Sequence, residues 1–593
     1  MPKGDNRYIP VSALFPTAAK GTLDKYGLRA EAFCLRSGNN PALQYAFKLR
    51  FDSVQNAGLL LRQLQQDPRI ELVERVPLYR ASACPSDGFS LKNRLKETPD
   101  DPFHGIVDSI HASWHLDMMG FDELYGKYTG NPDIKVAVVD NAVWSGHEDL
   151  DILPENLYNT CTNAQGEANP PSHIDREMVY GGGFAGMNPA YNWSHGTHCA
   201  GLIAAVNNNG KGIASLASGV SLMGIRTAES EPGIFDNTME GIAWAADHGA
   251  KVISLSYGSE YNSSIEREFF QSCINQGIVF FASAGNKSRD KEQYPACYPG
   301  VIAVGSVNSD GHRSDFSNYG DWVDVWMPGG YYIDHDTVVK DQQLLSTTWC
   351  VSQWLYDKPS FSDRYYDMMA GTSMATPLAA SASALLLSYY PELNGYQIKE
   401  ILQRATQDSC VYVPEAFRLL ENDGLRQVRD LQAGRDEAAG QVEVIWKAPE
   451  QEGVTAYRLY HGETYIGQTE AGTTRFGFSA PDTTGFVGVR AIYGQDSSLL
   501  CCVPIRKGAP EVSNQEQPES ASSLRFWINQ TERSLHLPEG NWHRLEIFDV
   551  KGRLVLEKRY EADAVSLQGL PSGLYLCRIW NDPDSSTFKF ILP

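Results

Sequence analysis

Between about residue 100 and residue 412 the chain repeats one pattern, a short apolar run followed by a stretch with helical periodicity. The runs are "IKVAVVD", "VSLMGIRT", "KVISLSYG", "IVFFASAGN" and "VIAVGSV", all rich in Val and Ile. The stretches between them include "SHGTHCAGLIAAV", "NTMEGIAWAADHGA", "SSIEREFFQSCINQG" and "SMATPLAASASALLLSYY". Strands that are apolar at nearly every position must bury both faces, so the pattern predicts a parallel sheet covered by helices on each side.

The rest of the 593-residue chain is organised differently. "ALQYAFKLRF", "VQNAGLLLRQLQQ" and "RIELVERVPLYR" read as strand, amphipathic helix and strand, a small α+β unit before residue 90. The polar stretch "ASACPSDGFSLKNRLKETPDD" follows as an exposed linker. Residues 438 to 507 and 523 to 593 hold alternating strands split by turn residues, the texture of β-sandwiches, with the Pro/Ser/Glu-rich "RKGAPEVSNQEQPESASS" between them. A formal charge of -22 repels phosphate and argues against a nucleic-acid partner. No apolar run reaches the roughly 18 residues needed to cross a bilayer. The opening "MPKGDNRYIP" has no apolar h-region, which leaves a cytoplasmic chain or an exported one without its leader. Eleven cysteines, an odd number without zinc-type spacing, leave the redox compartment open.

Four residues in the α/β segment carry chemistry. Asp140 closes the run "VAVVD", His195 opens a small-residue helix, Asn286 follows the buried run "FFASAGN", and Ser373 starts an Ala/Leu-rich helix after Gly371. Each has an ordinary alternative: strand-end acid, surface histidine, turn asparagine, capping serine. Together they offer a hydroxyl, an imidazole to take its proton, an acid to orient the imidazole and an amide donor for an oxyanion. The order Asp, His, Ser separates this set from the chymotrypsin and α/β-hydrolase orders.

With "VAVVD", "HGTHCAG", "SAGN" and "GTSMATP" in that order, the chain resembles the subtilisin-like serine peptidases over about 300 residues. "VIAVGSVNSDGHRSDFSNYGDWVDVWMPG" fits the family's stretch before the nucleophile. The resemblance implies Ser373 as nucleophile, His195 as general base and acid, Asp140 as its partner, and Asn286 as side-chain oxyanion donor. It implies a structural role for His198 and places Cys199 beneath the catalytic histidine as an inert buried thiol. Peptide would bind along Ser256, Tyr257 and Gly258 on one wall and Ser283, Ala284 and Gly285 on the other, Tyr257 standing where Leu is commoner. No cofactor is expected for the chemistry. A structural Ca²⁺ would take Asp149, the side chain of Asn209 and the carbonyls of Val206, Lys211 and Ile213, against the plainer reading of "VNNNGKGI" as an ion-free turn.

Two departures stand out. Asn141 and Ala142 occupy positions where the family has a small hydroxyl or acidic residue and then Gly. A Tyr/Trp-rich stretch over 331 to 369 looks inserted before the Ser373 motif, as a cleft wall or a surface elaboration.

The resemblance extends to the flanks. Residues 1–97 are similar to a ferredoxin-like propeptide with its linker, cleaved between about Arg80 and Glu97, or else a permanent accessory domain. Residues 98–415 form the peptidase domain. Residues 430–508 resemble a fibronectin type III domain, and 520–593 resemble the C-terminal sorting domains of Bacteroidetes secreted proteins, through "LEIFDVKGRLVLE" and "LPSGLYLCRI". The expected whole is a secreted or cell-surface endopeptidase zymogen. Its partners are a peptide or protein substrate, its own propeptide as inhibitor, and an export machinery. A catalytically silent binding protein and a dedicated processing enzyme are the alternatives.

Overall fold

The structure, a computed structural model, describes residues 99–510 apart from 108–109, 175–190, 332–342, 351–363, 437–438, 481–484 and 509. Outside that range it describes backbone strands and scattered residues. The helix expected over "VQNAGLLLRQLQQ" and residues 82–98 of the linker lie outside the described residues.

Eight strands form the central sheet, in the order Val325–Pro328, Val301–Val307, Val279–Ser283, Ala250–Leu255, Lys135–Asp140, Ser221–Arg226, Leu157–Asn159 and Ala164–Gln165. All neighbours are parallel except the last pair. The five expected strands are its centre. Side chains alternate across it, because successive Cβ atoms leave a strand on opposite faces. Val136 and Val138 join Val252, Phe281 and Val304 against the helices His195–Ala204 and Thr372–Tyr389. Ala137 and Val139 join Ile253, Phe280 and Ala303 against Thr238–Asp247 and Ser264–Ile274. The helix after Ser373 is buried from Thr372 to Leu387, so its small residues let it run between the sheet and the first helix.

Two stretches differ from the sequence expectation. Part of the 331–369 stretch belongs to the core: Leu344–Thr347 and Tyr366–Met369 pair antiparallel, and all eight residues are buried. Helix Val413–Asp423 runs through the expected boundary at 415, held by Phe417 stacked 3.9 Å from Tyr128. Residues 332–342 and 351–363 lie outside the described residues.

The region after this helix builds two antiparallel sheets. One holds Arg429–Asp436, Gln441–Lys447 and Arg475–Ser479, with Arg506–Lys507 added in parallel at the edge. The other holds Ala456–His461, Thr464–Glu470, Phe486–Tyr493 and two short strands. Their shared core includes Val442, Val444, Trp446, Tyr457, Leu459 and Val487. This layer docks on helix Gly395–Arg404 through Glu400, which pairs with Arg404 at 2.7 Å and Arg490 at 3.0 Å and accepts the Leu500 N–H at 2.9 Å. Residues Glu511–Pro593 form a separate compact unit of two antiparallel sheets, the larger made of Leu554–Arg559, Arg544–Asp549, Gly573–Asn581 and Asp584–Leu592.

Removing a charge from a buried pair strands its partner, at a cost of about 3 kcal/mol. Glu400→Ala is therefore expected to lower the unfolding midpoint of the chain by several degrees in a thermal melt, and Glu400→Gln by less.

Candidate active site

The carboxyl edge of the parallel sheet is where strand-end residues converge. Asp140 ends its strand fully buried, and its Oδ1 lies 2.8 Å from His195 Nδ1. The same oxygen accepts the Asn141 N–H at 2.7 Å, so the acid is held by its neighbour's backbone as well as by the imidazole. His195 Nε2 is buried and makes no hydrogen bond among the described residues. A Cβ on Gly196 would sit 2.7 Å from Asp140 Cβ, so only glycine admits the acid this close.

Ser373 follows Thr372 in the first turn of its helix, entered through Gly371 at φ 150°. The hydroxyl donates to the Ser256 carbonyl at 3.0 Å, and the Ser256 hydroxyl donates back to the Ser373 carbonyl at 2.8 Å. The Ser373 hydroxyl thus rests against the end of the neighbouring strand, and a turn about χ1 moves it from that carbonyl. Cys199 is buried, its Sγ 3.4 Å from the Ser373 carbonyl, and burial drives its thiol well above the ordinary range, which keeps it protonated and inert. His198 is buried too: its Nε2 donates to the Leu344 carbonyl at 2.9 Å, and burial lowers its imidazole to about 3, leaving it neutral.

Asn286 is fixed through its acceptor. Its Oδ1 receives the Thr372 N–H at 3.0 Å and the Thr372 hydroxyl at 2.7 Å. An amide held by its oxygen presents its NH₂ on the opposite side. The wall before it is braced by Asn318, whose Nδ2 donates to the Ala284 carbonyl at 2.8 Å, while Gly285 bends at φ 94°. On the other wall the Tyr257 ring is buried against Phe235, with centroids 4.9 Å apart, so this residue offers backbone. That backbone is paired: Tyr257 stands opposite Ala81 and Gly258 opposite Arg80 in an antiparallel bridge.

Ser194 carried no sequence signal of its own, and Asn141 and Ala142 stood out only as departures from the family pattern. Asn141 reaches both ways: its Oδ1 accepts from Ala142 N and Gly196 N, and its Nδ2 donates to the Asn192 and Pro232 carbonyls at 2.7 and 3.1 Å. It ties the acid's strand to the start of the histidine helix. Ala142 is buried with Trp193, Ala228, Trp349 and Cys350, so its extra methyl is packing material. Ser194, one residue before His195, accepts the N–H groups of Trp349 and Cys350 at 3.2 and 3.0 Å, which fastens the 344–350 stretch to that helix.

The residues expected around an ion also come together. Asp149 Oδ2 accepts from Ile213 N at 2.9 Å and Oδ1 from Asn209 Nδ2 at 2.8 Å, while the Val206 N–H reaches the Asp149 carbonyl. Asn209 Oδ1, the expected ligand atom, instead accepts the Lys211 N–H at 2.7 Å. Asp101, which sequence reading passed over, is buried beside this loop and accepts from Asn208 N and Asn209 N. Burial, with Asp101 adding repulsion, pushes the Asp149 carboxyl up to about 7.

A buried acid bonded to an imidazole, a helix-start hydroxyl and an oriented amide on one sheet edge define a serine hydrolase of the Asp-His-Ser kind. The chain belongs to the subtilase family, whose model matches residues 131–435. It is 34% identical to thermitase of Thermoactinomyces vulgaris over 255 residues, 43% of this chain and 75% of that one. It is 34% identical to subtilisin E of Bacillus subtilis (strain 168) over 337 residues, 54% of this chain and 74% of that one. The crystal structure of fervidolysin from Fervidobacterium pennivorans overlaps 87% of this chain and 81% of its own, at 19% identity and a TM-score of 0.46. Residues 530–593 match the model of a secretion system C-terminal sorting domain. The protein is a subtilase-family serine endopeptidase that is secreted or displayed at the cell surface. Among the described residues no helix is long and apolar enough to cross a membrane.

Losing one oxyanion donor costs about 10²–10³ in kcat. Asn286→Ala is expected to show that loss in steady-state hydrolysis of a peptide substrate, with KM changed less than threefold.

Proposed function

We propose that Ser373, His195, Asp140 and Asn286 carry peptide hydrolysis through an acyl-enzyme, and that the chain is a zymogen whose first 97 residues inhibit it until cut. The observation that carries the first part is the 2.8 Å bond between Asp140 and His195 Nδ1. It holds the imidazole with Nε2 available as a base. Ser373 Oγ leaves the Ser256 carbonyl, gives its proton to Nε2 and attacks the substrate carbonyl carbon. Negative charge grows on the carbonyl oxygen, where the Asn286 amide and the Ser373 N–H would receive it. His195 then protonates the leaving amine. Water, deprotonated by the same nitrogen, releases the acyl group and restores Ser373.

The zymogen reading is supported by the bridge from Arg80–Ala81 to Tyr257–Gly258. A strand added to an exposed sheet edge is how an extended peptide is held, so the chain's own segment occupies the wall that substrate would use. The substrate would lie between Ser256 to Gly258 and Ser283 to Gly285. The two sheets over residues 430–508 fit a fibronectin type III-like spacer, and the terminal unit would engage the export machinery.

Calcium fits the Asp149 loop as a structural ion, in the same proposal. Two buried carboxylates, Asp149 and Asp101, repel each other, and a hard cation would remove that cost. Val206, Lys211 and Ile213 would add carbonyl oxygens, and Asn209 would add its own once its amide turns over. The ion would stabilise the fold and take no part in the chemistry.

Two outcomes are expected. A fluorophosphonate probe should label Ser373 weakly in the full chain and at least tenfold faster after removal of the N-terminal segment. Absence of label on Ser373 after removal would sink the enzyme roles assigned here. Excess EDTA should lower the unfolding midpoint by more than 5 °C, with Ca²⁺ restoring it and Mg²⁺ failing to; at 100 times its Kd an ion contributes about 2.7 kcal/mol. An unchanged melt would remove calcium from the account.

A further inference from the structure

Just past Asn286 on one side and just past Gly258 on the other, the two segments proposed to bind peptide run into side chains that meet. Lys287 Nζ lies 3.0 Å from Glu260 Oε1, so an ion pair joins one segment to the other. Two further cations converge on the same carboxylate. The Lys291 ammonium is 2.7 Å from Oε2, and the Arg289 guanidinium bonds Oε1. Three cationic heads thus share one acid, on a chain whose formal charge is -22. The two other acids of this turn, Asp290 and Glu292, accept from Trp322 Nε1 and the Tyr294 hydroxyl. Neither pairs with the three cations among the described residues.

The cluster is held in place by backbone bonds on both sides. Asn318, whose Nδ2 braces the Ala284 carbonyl, accepts the Lys287 N–H at 3.0 Å and the Arg289 N–H at 3.4 Å through Oδ1. Ser288 N donates to the Phe316 carbonyl at 2.8 Å. Before Glu260, Ser259 and Tyr294 exchange both N–H···O bonds at 2.8 and 2.7 Å. Arg289 Nε makes no hydrogen bond among the described residues, so the guanidinium keeps a donor that Glu260 does not use. The ion pairs themselves remain open to water, with Lys287 64% and Lys291 53% exposed. Exposed pairs of this kind contribute little to stability, so another carboxylate can take the place of Glu260 at small cost.

The position of the cluster says which carboxylate. Asn286 is the donor proposed for the carbonyl oxygen of the bond to be cut, and Lys287 is the next residue. The substrate residue that carries this carbonyl is therefore the one whose side chain enters between the Glu260 and Lys287 segments.

We infer that Lys287, Arg289 and Lys291 form a carboxylate-binding rim, and that the enzyme favours peptides with Glu immediately before the scissile bond. Glu260 is the placeholder that the substrate side chain displaces. The inference rests on the peptidase reading above. The rim acts on binding: it attracts the acidic side chain and raises its local concentration, and the bond-breaking step is left as it is.

The test uses the full chain, incubated until its peptidase rate is constant, and two peptides that differ only in Glu or Gln before one scissile bond. The expected kcat/KM is about tenfold higher for the Glu peptide, a difference carried by KM. It should fall towards parity in 1 M salt, where charges are screened beyond about 3 Å. Glu260→Gln removes the placeholder's charge and keeps its shape, and should widen the ratio by about threefold more. Lys287→Ala combined with Arg289→Ala should bring the ratio to one or below. The gain expected of Glu260→Gln is an effect that a damaged fold would not produce. A Gln peptide cut as well as the Glu peptide, or a ratio that Glu260→Gln leaves unmoved, would overturn the rim and leave the peptidase reading in place. So would a chain that cuts other peptides and neither of these two. A chain that hydrolyses no peptide at all would overturn the peptidase reading itself, and the rim with it.

Discussion

The site depends on one buried hydrogen bond, Asp140 Oδ1 to His195 Nδ1, and much of the surrounding structure holds its two ends in place. A carboxyl group with no exposure is expensive to bury unless its oxygens are bonded. Here one oxygen serves both the imidazole and the Asn141 N–H. The strand that carries Asp140 sits in the middle of the sheet, with Ala250–Leu255 on one side and Ser221–Arg226 on the other. The helix that carries His195 is packed against the long helix of Ser373, so acid, base and hydroxyl are set by one core. Asn141 closes the arrangement by bonding to Gly196 N and the Asn192 carbonyl on the histidine side. The unusual "DNAV" is thus a brace between the two ends of the bond, with Ala142 filling space under Trp193 and Trp349.

The same core explains why the two segments proposed to bind peptide offer backbone. Strand ends at Leu255 and Ser283 run on into Ser256 and Ala284, and the side chains that could intrude are turned inward or are glycine. Tyr257 is the case that most needs this, because a solvent-facing ring there would block an incoming strand. Its burial against Phe235 clears the edge for Arg80–Ala81. Arg80–Ala81 pairs with that edge in the antiparallel register that sets Ala81 against Tyr257 and Arg80 against Gly258.

The parts legible in the sequence were those with a repeated physical signature. Five apolar runs gave the middle of the sheet because a doubly covered strand tolerates almost no polar residue. The short edge strand Val325–Pro328 was hidden by its length and its closing proline, and Leu157–Asn159 by the polar residues at its end. Asp140, His195, Asn286 and Ser373 stood out in the sequence because motif and order coincide. Ser194, Asn318 and Asp101 did not, since each acts through a hydrogen bond to a distant stretch, and a single polar residue has no period. Asn209 shows the converse: the loop was recognised, yet its side-chain oxygen points back to Lys211 N. The aromatic stretch over 331–369 misled by composition, because eight of its residues form a buried antiparallel pair whose Ser346 and Thr347 hydroxyls donate to the His198 and Thr197 carbonyls of the histidine helix.

The most direct test of the account is a crystal structure of the chain after reaction with a monofluorophosphonate. The account predicts a covalent phosphonyl group on Ser373 Oγ, its P=O oxygen within about 3 Å of the Asn286 amide nitrogen and the Ser373 N–H, and His195 still bonded to Asp140. An adduct on another residue, or a phosphonyl oxygen turned away from Asn286 with the Asp140–His195 bond broken, would contradict it.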